Sequence, residues 1–144
     1  MTKPARITPE AFEALWEGDT SIYHQFNLQV EWIAYGHACM RLPADPKHLR
    51  PGGTISGPAQ MAVADCAAYA ALLGAIGPVP LAVTTNLSIN FLNKPQPADL
   101  LCECKLLKLG RRLAVLEATN HSEGRDDPVS HVVATYSIPP GAVG

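Results

Sequence analysis

One acidic residue lies in the middle of the most apolar stretch of this sequence. Asp65 is surrounded by alanines and larger apolar residues, and it is the only charged residue between Gly57 and Leu73. Taking a carboxylate out of water costs free energy unless other polar groups partner it or chemistry uses it. A carboxylate in such a setting can act as a general base or as a nucleophile. We therefore interpret Asp65 as the centre of a candidate active site.

A second chemical feature comes just before it. Ser56 is a typical helix N-cap, so the pattern predicts a helix over 57–73 that the glycines Gly74 and Gly77 end. Main-chain N–H groups at a helix start have no intrahelical acceptor and carry partial positive charge, which suits an oxyanion. Gly57 has no side chain, so a substrate atom can approach its amide closely.

The spacing of these two features excludes their cooperation within one helix. Asp65 follows Ser56 by nine residues, which is ~13.5 Å along a helix axis and half a turn out of phase. If the two features cooperate, they come from two copies of the chain whose helices run antiparallel. The site would then be composite and would occur twice in each dimer.

The rest of the chain predicts elements that surround the helix. A short amphipathic helix over about 9–17 comes first. Six strands are predicted by alternating apolar residues, over 28–34, 38–42, 83–91, 100–109, 113–121 and 129–138. This order predicts an α+β fold in one domain, 1–144, with a curled antiparallel sheet wrapped around one long central helix and a frayed tail over 139–144. The alternation over 83–91 places Val83 and Leu87 on the core face and Thr84 on the other face, and it favours pairing with a second copy.

Composition excludes several classes of function. A net charge of −2 and 47% hydrophobic residues are typical of a globular protein and give no basic field for nucleic acid. The four cysteines form no Cys-x-x-Cys pair, and the five histidines are dispersed, so we expect no metal or other cofactor. No signal peptide is evident, and the apolar helix is too short and too rich in alanine for a membrane span. We expect a soluble, cytoplasmic protein.

Three segments resemble a known family. The run Gly53-Thr54-Ile55-Ser56-Gly57-Pro58, followed by Asp65, resembles the Gly-Thr-x-His-Gly-Gly motif and aspartate of hotdog-fold acyl-CoA thioesterases of the phenylacetate-degradation (PaaI-like) type. Residues 83–92 are similar to that family's strand after the helix, and 108–114 resemble its basic hairpin. The resemblance covers about 28–138 and implies a hotdog fold, a dimer or a dimer of dimers (a homotetramer), and a coenzyme A thioester as substrate.

The resemblance also implies roles for individual residues. Asp65 corresponds to the family's catalytic aspartate, as general base or nucleophile, and Gly57 to its oxyanion-binding glycine. Thr84 would help to place the attacking water. Arg111 and Arg112 in the hairpin would contact the nucleotide phosphates.

Four positions depart from the family pattern or modify it. Ser56 replaces the family's histidine, and Pro58 replaces its second glycine. Arg50 stands where the family has Asn or Gln, and it could stabilise the carboxylate or bind an anionic substrate group. Tyr69 replaces a Thr or Ser one helical turn after the aspartate, where its hydroxyl could orient water or narrow the acyl pocket.

Three functions follow from these residues, and the first is favoured. It is hydrolysis of an acyl-CoA thioester at a composite dimer site. The second is a catalytically silent acyl-CoA-binding or interaction protein, which the changes at Arg50 and Ser56 would explain. The third is an enoyl- or hydroxyacyl-thioester hydratase, which is less favoured because no histidine lies on the central helix or in its N-terminal turn.

Overall fold

A long helix forms the buried axis of the fold in this computed structural model, which describes residues 3–18 and 20–143. The helices are α1 (Pro9–Ala14), α2 (Ile22–Gln25) and α3 (Gly57–Ile76), with a 3-10 turn at Pro46–His48. The strands are β1 (Gln29–Ala34), β2 (His37–Leu42), β3 (Val83–Phe91), β4 (Leu100–Leu109), β5 (Leu113–Ser122) and β6 (Pro128–Ser137). The six predicted strands are confirmed to within one or two residues at each end; α1 is shorter than predicted, and α2 was not predicted.

The strands form one antiparallel sheet in the order β1-β2-β4-β5-β6-β3. Its inner face packs on α3, which contacts β2, β4 and β5 most extensively. Alternate inward residues of these strands, such as Met40, Cys102 and Leu116, are fully buried against the helix. A curled antiparallel sheet around one central helix is the hotdog fold, as the resemblance implied.

Helix α3 begins where its capping residue predicts. The side chain of Ser56 accepts a hydrogen bond from the N–H of Ala59 at 3.2 Å, and Pro58 occupies the first turn. The helix ends at Gly77, which has a φ of +85° and whose N–H donates to the Leu73 carbonyl at 2.8 Å.

The predicted end of the helix at Gly74 is wrong. The helix runs through this residue to Ile76, and Gly74 has a packing role instead. A Cβ added there would lie 2.2 Å from the carbonyl oxygen of Ala34 in β1. The glycine therefore lets the helix and strand backbones touch.

The apolar character of α3 reflects its place in the core. Among the described residues it is the one helix long and apolar enough to cross a membrane, and 83% of its most apolar window is buried inside the fold. It is therefore the core helix of the hotdog fold. The predicted domain extent of 1–144 and the frayed tail over 139–144 stay predictions, and residues 1, 2, 19 and 144 lie outside the described part.

Candidate functional site

Asp65 lies in the wall of a cavity of about 470 Å³. Most of the lining is apolar or aromatic: Leu15, Trp16, Ile22, Ala62, Cys66, Tyr69, Pro80, Ala82, Val83 and Tyr136. Asp65 and Thr84 supply the strongly polar groups of this wall. The cavity therefore combines one carboxylate with a surface suited to an uncharged, apolar group.

The Asp65 carboxylate is half-buried and is held through one oxygen. Its Oδ1 accepts hydrogen bonds from the hydroxyls of Thr84 and Tyr136, each at 2.7 Å. The Tyr136 hydroxyl also lies 2.9 Å from the main-chain carbonyl oxygen of Asp65. These contacts tie a carboxylate in the middle of α3 to strands β3 and β6.

A β-bulge aims Thr84 at Asp65. Thr84 pairs with Tyr136, and the next pair along the ladder is Asn86 with Thr135, so Thr85 is the extra residue. The predicted strict alternation in β3 is therefore wrong at this end. Thr84 shares the inner face with Leu87, whereas Val83 is 51% exposed. The spacing could not show this, but the family resemblance did select Thr84.

Sequence reasoning missed Tyr136. This residue lies on the inner face of β6 and is almost fully buried, at 2% exposure. Burial, followed by the charge of Asp65, raises the pKa of Tyr136 far above its ordinary value, so its hydroxyl keeps its proton. The sequence places Tyr136 among the alternating residues of β6 that face inward. Its contact with Asp65 also depends on the pairing of β6 with β3, which only the sheet topology gives.

Tyr69 lines the same cavity. Its hydroxyl donates to the carbonyl of Pro80, another residue of the cavity wall, at 3.0 Å. The ring contacts Trp16 edge-on with a centroid distance of 5.7 Å. Trp16 in turn stacks on Tyr23 at 5.6 Å. Leu15, Trp16 and Ile22 of the N-terminal segment thus close one side of the Asp65 cavity.

A second concavity of about 600 Å³ surrounds the start of α3. It includes Gly57, Arg50, Lys94 and Phe91. Arg50 is exposed and donates to the Pro51 carbonyl at 2.7 Å. Two cations beside a helix N-terminus suit an anionic or strongly polarised ligand.

The two concavities are separate within one chain. Gly57 and Asp65 are eight residues apart on the same continuous helix, which places them ~12 Å apart along its axis. The fold therefore brings Thr84 and Tyr69 to the cavity of Asp65, whereas Gly57 and Arg50 lie at the other concavity.

The remaining predicted binding residues are spread over different positions. Ser56 caps α3 through its side chain, as described above. Arg111 and Arg112 are exposed in the β4–β5 turn, and neither lines the two concavities within the described part of the chain.

The cysteines are free and buried. Cys66 lines the Asp65 cavity, and burial raises its pKa well above the ordinary value, so the thiol stays protonated. Among residues 3–18 and 20–143, no cluster of His, Cys, Asp and Glu could hold a metal ion.

Comparison with known proteins identifies the family. The model of the thioesterase superfamily matches residues 52–129, which include Gly57, Asp65 and Thr84. This chain belongs to the thioesterase superfamily. No curated protein sequence matches this member of the superfamily.

Solved structures agree with this assignment. A candidate thioesterase from Silicibacter sp. TM1040 is 41% identical, with a TM-score of 0.81 and 94% of each chain covered. A variant of the phenylacetic acid degradation protein PaaI from Thermus thermophilus is 24% identical, with a TM-score of 0.70, and the match covers 81% of this chain and 97% of that one. A hypothetical thioesterase from Streptococcus pneumoniae, solved with coenzyme A, is 19% identical; its TM-score is 0.70, with coverage of 79% and 87%. The last two show likeness of fold alone.

Proposed function

We propose that this superfamily member is an acyl-CoA thioesterase whose active site combines Asp65 of one copy with Gly57 of a second copy. The observation that carries the proposal is the half-buried Asp65 carboxylate, which two hydroxyls hold in the wall of an apolar cavity. The cavity suits an acyl chain, and the carboxylate suits attack at a carbonyl beside that chain. The coenzyme A bound to the streptococcal relative supports this substrate class.

The geometry of α3 supports the part of this proposal that involves a second copy. An oxyanion site must lie about 3 Å from the developing charge, and the Gly57 amide of the same chain is ~12 Å along the axis from Asp65. Strand β3 ends the sheet, and among the described strands it pairs with β6 alone. Its Val83 and Phe91 side chains are 51% and 54% exposed. Pairing of two β3 edges would bury these side chains and bring the two helices together antiparallel.

Charges near Gly57 support a thioester of coenzyme A. Arg50 and Lys94 line the concavity at the helix start, and such cations favour the phosphates of the nucleotide. Arg111 and Arg112 stay candidates for the same phosphates.

The chemistry needs one carboxylate and one oxyanion donor. With Asp65 as base, a water oxygen bonds to the thioester carbonyl carbon while Asp65 takes the water proton. The Gly57 N–H stabilises the oxyanion, the C–S bond breaks, and the leaving thiolate takes the proton from Asp65. With Asp65 as nucleophile, its oxygen bonds to the same carbon and the C–S bond breaks, which gives a mixed anhydride and the coenzyme A thiolate. Water then hydrolyses the anhydride to the carboxylic acid and a protonated Asp65, whose proton neutralises the thiolate. Both routes release a carboxylic acid and free coenzyme A.

The alternatives differ in what they need from the site. A hydratase would need a histidine beside the carboxylate, and within residues 3–18 and 20–143 no histidine lines either concavity. A silent acyl-CoA-binding protein would keep the concavities without turnover. Dimer or tetramer assembly and a cytoplasmic location stay predictions.

The test replaces Asp65 with Asn and measures thiol release from a panel of acyl-CoA esters. We expect Asp65→Asn to abolish hydrolysis while the melting shift induced by the same esters persists. Asp126→Asn, in an exposed turn, is the matched control and should behave as wild type. Unchanged hydrolysis in Asp65→Asn would exclude the role of Asp65, and ligand binding without turnover by the wild type would favour the silent alternative.

A further inference from the structure

Two hydroxyls on different strands bind the same oxygen of Asp65. We propose that Tyr136 is a positioning residue which, with Thr84, fixes Oδ1 and leaves Oδ2 as the oxygen that reacts. This inference rests on the proposed thioesterase function and assigns its reacting atom.

The two donors converge because their strands are paired. Thr84 in β3 lies opposite Tyr136 in β6, and the bulge at Thr85 turns Thr84 inward. Both hydroxyls reach Oδ1 at 2.7 Å. Within the described residues, no donor forms a hydrogen bond with Oδ2. The carboxylate therefore has one occupied oxygen and one whose lone pairs are available.

The Tyr136 hydroxyl is itself held in place. It lies within hydrogen-bond distance of both the carboxylate and the main-chain carbonyl of Asp65, and its ring stacks on Tyr69 with an interplanar angle of 12°. Burial raises the pKa of this phenol, so its oxygen keeps the proton that it donates to the carboxylate.

Holding one oxygen limits rotation of the carboxylate. A free aspartate can exchange its two oxygens by turning its terminal torsion, which is broad in proteins. Because two hydrogen bonds hold Oδ1, the lone pairs of Oδ2 keep a fixed orientation relative to an attacking water or a thioester carbon. Such orientation affects the rate of the chemical step more than the binding of the substrate.

The experiment compares hydroxyl deletions with matched controls. Tyr136→Phe and Thr84→Val should each lower kcat by roughly 10- to 100-fold, with KM close to wild type, and Thr84→Ser should restore most of the loss. Tyr23→Phe removes another buried hydroxyl, and Thr85→Val removes the neighbouring hydroxyl, which donates to the Thr135 carbonyl. Both controls should keep wild-type kcat.

The outcomes separate this inference from the proposed function. Wild-type kcat in a folded Tyr136→Phe variant, while Asp65→Asn is inactive, would overturn the inference alone. A loss in Tyr136→Phe that tracks a lowered melting temperature, with kcat restored at low temperature, would show a structural role and would also overturn it. Absence of hydrolysis by the wild-type protein, or full activity of Asp65→Asn, would overturn both.

Discussion

Replacing Gly57 with alanine should separate activity from stability. The residue opens α3 with a φ outside the left-handed region, so alanine can adopt its backbone conformation. An added Cβ would lie 3.2 Å from Cζ of Phe91, so this ring, which is 54% exposed in a single copy, must shift by a few tenths of an ångström. Glycine in a helix is about 0.5–1 kcal/mol less favourable than alanine. We therefore expect the melting temperature to stay constant or to rise by up to about 3 °C.

Activity should change in the opposite direction. The new methyl group would occupy the approach to the Gly57 amide and push the thioester oxygen away from its N–H. Loss of one oxyanion donor costs about 2.7–4 kcal/mol in the transition state, which is a 10²- to 10³-fold drop in kcat. Thiol release from an acyl-CoA ester measures this drop, and thermal melting of the same preparation measures stability.

The neighbouring residue provides the control for this experiment. Pro58 is exposed in the first turn of α3 and has no N–H to offer, so Pro58→Ala should retain wild-type turnover. A folded Gly57→Ala protein with undiminished kcat would show that this amide does not hold the reacting oxygen. A melting temperature several degrees lower would instead show that Phe91 cannot yield.

Three other substitutions have defined outcomes. Gly74→Ala should lower the free energy of unfolding by about 3 kcal/mol in a urea titration, because the methyl group would meet backbone of β1 at 2.2 Å. A hydrogen bond from the Ala44 N–H lowers the pKa of Asp99 below its ordinary value of 3.8. The ionised Asp99 therefore stabilises the fold above pH 3.8, and this stabilisation is lost as the pH falls further. Asp99→Asn should reduce the decline in the free energy of unfolding that is measured below about pH 4. Trp16→Ala should enlarge the Asp65 cavity and shift kcat/KM toward longer saturated acyl-CoA esters, whereas Trp32→Ala in exposed β1 should not.

The sheet and the start of the central helix could be predicted because their signals are local. Alternating side chains identify the strands, and Ser56 with Pro58 identifies the helix start. The end of the helix could not be predicted in this way. A glycine near the end of an apolar helix is equally compatible with a stop and with close packing, and only the contact of Gly74 with Ala34 decides between them.

The site was predictable only in part for a related reason. Asp65 is conspicuous by its apolar neighbours, and the resemblance selected Thr84. Tyr136 is 71 residues from Asp65 along the chain, so its contact depends on strand pairing that no local spacing reveals. The bulge at Thr85 could not be predicted either, because the alternating sequence of β3 gives no sign of one extra residue in its pairing with β6.

The apolar central helix has a consequence for synthesis of the chain. Helix α3 precedes β3, β4, β5 and β6 in the sequence. The ribosome therefore completes the most apolar segment of the chain before it has made four of the six strands that cover this segment. During that interval the segment resembles a membrane anchor, apart from one aspartate. A chain truncated after Phe91 should therefore bind chaperones or lipid bilayers through this exposed apolar segment. The later strands prevent such binding because they bury the helix.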